Sequence, residues 1–179
     1  SGPAKTYTIT VNPGAQVNQP TSQIVCNGDA TTAISFTTNN TVGATSYTWT
    51  NSNPAIGLLG TGTGNIASFT ATNNGTSPVV ATIVVTPSFT NAGVTCPGIP
   101  RNFTITVNPS AQVNQPADII LCNGVDSSII EFTTINQGGD TYYTWTNNNP
   151  SIGLDANGVD FVPVFNPINN TTQPVEAII

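Results

Sequence analysis

A chain that performs chemistry needs groups that move protons, hold a metal or attack a substrate, and this one offers few. It contains no histidine, which excludes imidazole-based triads and zinc–histidine sites. Its eight carboxylates are scattered, with Asp155 and Asp160 the nearest to a pair. A glycosidase needs two such groups facing each other across a cleft, and nothing in the spacing sets that up. Asp29, Asp118, Asp126 and Asp140 lie close to turn residues, where they could contribute to weak structural calcium sites. No EF-hand spacing supports such sites, and solvated turn carboxylates are the simpler reading. Gly57, Gly60, Gly62 and Gly64 resemble a phosphate loop only in spacing. No Walker lysine and no strand–loop–helix context follow, so they read as turn glycines. Tyr47 and Trp49 would make a carbohydrate platform if exposed, but their alternation with Thr48 and Thr50 favours core packing. The expectation is a non-enzymatic chain with no cofactor.

The elements that must position these residues come from a repeat. AQVNQP at Ala15–Pro20 returns letter for letter at Ala111–Pro116, a spacing of about 96 positions. Cys26-Asn27-Gly28 then falls on Cys122-Asn123-Gly124, and Tyr47-Thr48-Trp49-Thr50-Asn51 on Tyr143-Thr144-Trp145-Thr146-Asn147. Thr8-Ile9-Thr10-Val11-Asn12-Pro13 matches Thr104-Ile105-Thr106-Val107-Asn108-Pro109, while Ile179 falls on Ile83. Residues 1–13 therefore read as the terminal strand of a preceding repeat, 14–109 as a complete repeat, and 110–179 as a second repeat lacking its last strands. The joints Asn12-Pro13-Gly14 and Asn108-Pro109-Ser110 are short and stiffened by proline.

Within the repeat, short alternating runs are separated by Asn, Gly and Pro. Tyr7, Ile9 and Val11 predict a half-buried strand. Val17–Val25 predicts an edge strand interrupted by Pro20. Ile34 with Phe36, and Tyr47 with Trp49, mark two more strands, and 66–71 another. Val79–Val85 is apolar on both parities, as a central strand is. Phe89–Pro97 reads as a turn-rich excursion, and Phe103, Ile105 and Val107 close the unit. No apolar residues recur at helical spacing over a helical length. About seven short strands in such a unit predict an all-β chain of tandem immunoglobulin-like or PKD-like β-sandwiches. The expected core aromatics are Phe36, Tyr47 and Trp49, repeated as Phe132, Tyr143 and Trp145.

Charged residues make up only 6% of the chain, against roughly 25% in an average soluble domain. With two basic side chains and a net charge of −6, nucleic acid is excluded as a partner, since phosphate binding needs clustered Lys and Arg. No apolar run is long enough to span a bilayer, so membrane insertion is not expected.

The motif series VNPxAQVNQP (Val11–Pro20, Val107–Pro116), CNG (Cys26, Cys122), FTT (Phe36, Phe132), YTWTN (Tyr47, Tyr143), NPxIGL (Asn53, Asn149) and TCPGIPRNFTITVNP (Thr95–Pro109) resembles the repeats of giant Bacteroidetes surface adhesins, the SprB-like gliding-motility family. The resemblance covers essentially the whole chain. It implies a secreted, cell-surface filament exported by a type IX system and gripping surfaces or polysaccharide. On that footing the chain is expected to be a spacer repeat of a long adhesin. A glycan-binding module of a secreted adhesin or enzyme is the alternative.

The period also bears on the cysteines. Cys26 repeats as Cys122, whereas the counterpart of Cys96 lies beyond Ile179. The expectation is a Cys26–Cys96 disulfide with Cys122 unpaired; its loop length implies about 4 kcal/mol from chain entropy. The rival pairing is Cys96–Cys122. The neighbouring repeats are the expected partners, and the unfinished second repeat suggests head-to-tail self-association by strand addition.

Overall fold

A computed structural model describes residues 2–179. The chain divides into two compact units, one reaching to Ser110 and the other running from Ala111 to Ile179. Both are all-β. The helical pieces among the described residues are two 3-10 turns, Pro54–Ile56 and Pro150–Ile152.

The first unit carries β1 (Gln23–Cys26), β2 (Ala44–Asn51), β3 (Thr61–Thr63), β4 (Val79–Asn91), β5 (Val94–Pro97) and β6 (Arg101–Asn108) in one mixed sheet. The order is β1-β6-β4-β2-β3, with β5 on the far end of β4. β4 is central as expected, but it is longer than 79–85 and buries one face only. Ala81, Ile83, Val85, Pro87 and Phe89 point inward, while Thr82, Val84, Thr86 and Ser88 alternate outward. Pro87 is tolerated in this central strand because of where it sits. Its carbonyl accepts from Gly98 N, so its missing N–H faces the gap between the end of β5 at Pro97 and the start of β6 at Arg101.

The segment read as a turn-rich excursion is a tight hairpin joining β4 to β5. Ala92 (φ 49°) and Gly93 (φ 80°) supply the paired positive φ values of a type I′ turn. β1 is an edge strand, but it covers only Gln23–Cys26 and runs parallel to β6. The expected strands at 34–36 and 66–71 reduce to two isolated bridges, Ala30↔Thr70 and Ile34↔Ile66. Their side chains still serve the core. Val17, Ile34, Phe36, Ile56, Ile66 and Ala71 pack against Ala81, Ile83, Val85, Phe103, Ile105 and Val107 from the sheet.

Tyr7, Ile9 and Val11 do not form the half-buried strand expected of them. They lie outside any strand and are 86%, 74% and 87% exposed. Their backbone has no ladder to join, because the equivalent place in the first unit is already held by β6.

The second unit contains β7 (Ile130–Glu131), β8 (Thr144–Thr146), β9 (Asn157–Val159) and β10 (Phe161–Val162), paired as β10–β7 and β8–β9. Trp145, Leu154 and Val162 form its core, with Ile130, Phe132, Ile152 and Phe165 packed around them.

Candidate functional site

The YTWTN segments show how local sequence sets side-chain position. In β2 the period of two turns Trp49 and Asn51 inward and Thr48 and Thr50 outward. Trp49 lies flat against Gly62 of β3, its cross-strand partner. Asn51 is buried and spends its amide on the following loop. Its Nδ2 donates to Leu58 O (3.0 Å), and its Oδ1 accepts from Asn53 N (2.9 Å). The second unit repeats the device, with Trp145 on Gly158 and Asn147 bonded to Leu154 O (3.0 Å) and Asn149 N (2.9 Å). Asn53 and Asn149 then precede the two 3-10 turns, which Gly57 (φ 96°) and Gly153 (φ 92°) terminate. These side chains are architectural, and none is placed for proton transfer.

The expected core aromatics fall into two grades. Phe36, Trp49 and Trp145 are buried, whereas Tyr47, Phe132 and Tyr143 are half-buried. Phe36 meets Tyr47 at 5.5 Å and Phe103 at 6.4 Å between ring centroids, and Phe132 meets Tyr143 at 5.7 Å. Burial raises the Tyr47 phenol above its ordinary value near 10, partly countered by a hydrogen bond with Thr38. With Trp49 turned inward, no aromatic platform forms on β2.

What β2 does present is hydroxyl. Thr48 and Thr50 stand opposite Thr63 and Thr61 of β3, and Thr86 of β4 lies beside Thr48. All but Thr86, which is half-buried, are exposed. Together with Val84 they line a shallow open groove of about 330 Å³. The strand rise and strand spacing set neighbouring hydroxyls roughly 6.8 Å apart along a strand and 4.8 Å across. Such a face can exchange hydrogen bonds with a polyhydroxylated surface. It has no acid, base or nucleophile of adjusted reactivity. The counterpart face of the second unit is poorer, since Thr144 and Thr146 face Val159 and Asn157.

The carboxylates do not assemble into a site. Among the described residues no three His, Cys, Asp or Glu side chains come together as metal ligands. Asp126 accepts from Asn166 Nδ2 at 2.8 Å, and Asp29, Asp118, Asp140, Asp155 and Asp160 are exposed. Asp160 takes φ 64° in the turn between β9 and β10, a local role.

The Cys26–Cys96 disulfide is not formed, and all three thiols are free. The parallel sense of β1 is the reason. Cys26 at the end of β1 aligns with Asn108 at the end of β6, beside the start of β4. Cys96 precedes β6 and pairs with Phe89 near the other end of β4. From Val79 to Phe89 the strand advances roughly 33 Å, against a Cα separation of about 7 Å that a disulfide tolerates. The rival Cys96–Cys122 bond is not formed either, and Cys122 is exposed.

No protein-family model and no curated protein matches the chain.

Sequence reading overlooked Asn51 and Asn147 as buried organising residues. Their signal was available: an inward-parity Asn two residues after each inward Trp, followed by Asn-x-Asn-Pro logic in both copies. Gly62 was also misread as a turn glycine. It is a strand residue whose bare Cα receives the Trp49 ring.

Proposed function

We propose that this chain is a structural spacer from a long cell-surface adhesin filament, built from immunoglobulin-like or PKD-like β-sandwich repeats and serving surface attachment and gliding. One observation carries the reading. Two adjacent units preserve the same architectural residues in register, including the Trp–Gly contact and the buried Asn bonds. A stalk requires many equivalent beams, whereas a ligand site needs only a few specialised ones. The type IX export route and the outer-membrane location belong to the same proposal and rest on the resemblance in motifs. Antibodies against the chain should label intact cells of the source organism as strongly as permeabilised ones. Labelling that appears only after permeabilisation rejects the surface placement.

The threonine face of β2, β3 and β4 favours a second reading, in which the first unit itself grips surface polysaccharide. Its open, uncharged hydroxyl array suits a glycan polymer better than a small ligand, which needs an enclosed pocket. A spacer leaves a glycan array blank. A polysaccharide retained by the natural chain and released by Thr48→Val with Thr63→Val would transfer the function to this face.

A further inference from the structure

The sheet of the first unit ends at β3, and the chain there reads Gly60-Thr61-Gly62-Thr63-Gly64, the same in both directions. The hydrogen bonds fix which way its backbone faces. Asn51 N donates to Gly60 O (2.8 Å) and Gly64 N to Tyr47 O (2.9 Å). Bonded positions alternate along an antiparallel ladder, so Gly60, Gly62 and Gly64 face β2. The N–H and C=O groups of Thr61 and Thr63 face away from it, and both threonines are exposed. The Trp49 ring packed on Gly62 holds the strand from the core side. Two donors and two acceptors therefore stand along an open edge.

Exposed edges of this kind template pairing unless charge or proline blocks them. Residues 59–64 carry neither, and the flanking Leu59 is 75% exposed. The second unit builds the same ladder, with Asn147 N on Ala156 O and Asp160 N on Tyr143 O. Its edge strand β9, however, is bracketed by Asp155 and Asp160, both exposed. These carboxylates stand at the positions of Leu59 and Gly64. A second β9 brought alongside would gather four carboxylates along one seam. A second β3 would gather none.

We propose that β3 is a self-association edge, at which two copies of the chain join about a twofold axis passing between their Gly62 residues. Thr61 of one copy then lies opposite Thr63 of the other and exchanges both backbone bonds with it, and the axis repeats the pair. Gly62 meets Gly62 at the close, unbonded spacing of about 4.5 Å between Cα atoms, with no side chain on either. Gly60 falls opposite Gly64, so nothing obstructs the ends. Because the segment reads the same both ways, one patch serves both copies, as a twofold interface requires. That self-complementarity is what makes the occupant a second copy of this chain. Hydroxyls also pair across the seam, continuing the row Thr86, Thr48, Thr63 into Thr61 and Thr50 of the second copy. A three-residue strand buries little surface, so the contact is weak singly and gains from chains lying side by side. This inference rests on the sheet edge alone and stands apart from the adhesin proposal.

Disulfide trapping reads the register directly. In a chain carrying Cys26→Ser, Cys96→Ser and Cys122→Ser, the substitutions Thr61→Cys and Thr63→Cys are made separately. Opposed positions lie about 5.5 Å apart between Cα atoms, inside disulfide range. Two Thr61 positions, or two Thr63 positions, lie roughly 8 Å apart. An oxidised mixture should therefore give a covalent dimer joining Thr61→Cys to Thr63→Cys, with neither variant cross-linking alone. The matched β9 pair, Asn157→Cys and Val159→Cys, should stay monomeric. The natural chain, kept reduced, should dimerise weakly at high concentration by sedimentation equilibrium, and Thr61→Glu with Thr63→Glu should abolish this. A mixture that gives no dimer, variants that cross-link as well alone, or a β9 pair that cross-links as readily overturns the proposal. So does a natural chain that is monomeric at every concentration reached.

Discussion

Replacing Gly62 by alanine tests the packing of the first unit at its most crowded point. A Cβ at Gly62 would lie 2.5 Å from Trp49 Cε2 and 2.7 Å from Cη2, and closer still to Cζ2. These are atoms of a buried, rigid ring and not the tip of a flexible chain. Gly62 lacks a positive φ, so backbone strain plays no part and the methyl group alone decides the outcome. Overpacking of this kind costs about 1–3 kcal/mol. Alanine recovers about 0.4–1 kcal/mol by restricting the unfolded chain. The net expectation is a loss of about 1–2 kcal/mol, which at 4–8 °C per kcal/mol for a domain near this size lowers the unfolding midpoint by roughly 5–15 °C. Gly60→Ala is the matched control. Its Cβ would meet only Pro54 Cγ at 3.4 Å, so its stability should be unchanged or slightly higher. Hydrogen exchange read by mass spectrometry through a urea series separates peptides of β2–β4 from those of the second unit. A Gly62→Ala chain as stable as the Gly60→Ala control, with unshifted Trp fluorescence, would refute the reasoning.

Asn51→Ala should lower the stability of the first unit by about 1–3 kcal/mol, because it strands the buried Leu58 carbonyl; urea midpoints for β2–β4 peptides check it. Quantifying thiols in the folded, air-exposed protein should give free Cys26, Cys96 and Cys122, and Cys26→Ser should shift stability by no more than about 0.5 kcal/mol. A linked Cys26–Cys96 peptide in a non-reducing digest would contradict the strand alignment. The raised Tyr47 pKa predicts a pH dependence with a definite sign. Folding favours the neutral phenol, so this contribution is fully present below the unfolded value near 10 and is lost as pH rises through the higher folded value. Unfolding midpoints should therefore hold to about pH 10 and then fall, and Tyr47→Phe should flatten that limb.

The β character of the chain was legible because alternation in short runs such as Tyr47–Asn51 and Phe103–Val107 reports burial on one face, a local property. The inward set of Trp49, Ile83, Ile105 and their neighbours follows from it. The disulfide was misassigned because the parallel or antiparallel sense of a pair is not written in either strand. β1 reads the same in both senses, and only the parallel one carries Cys26 away from Cys96. The I′ hairpin at Ala92-Gly93 was obscured because its leading residue is an alanine at positive φ, where Asn or Asp would have signalled the turn.

The two units provide an internal comparison between strand propensity and strand partnership. Gln23-Ile24-Val25-Cys26 forms β1, whereas its counterpart Ile119-Ile120-Leu121-Cys122 forms no strand although it is richer in apolar residues. The difference lies in the neighbour. Gln23–Cys26 has the edge of β6 to pair with, and every N–H and C=O it commits to the ladder is matched there. Ile119–Cys122 has no such edge among the described residues, so an extended conformation would satisfy nothing that water does not already satisfy. The same contrast holds for Val79–Ile83, which lies in β4, and Val175–Ile179, which is outside any strand. Tyr7–Val11 and Phe103–Val107 complete the set, near-identical segments of which only the second is in a sheet. In each pair the residues permit a strand and the adjacent edge decides whether one forms.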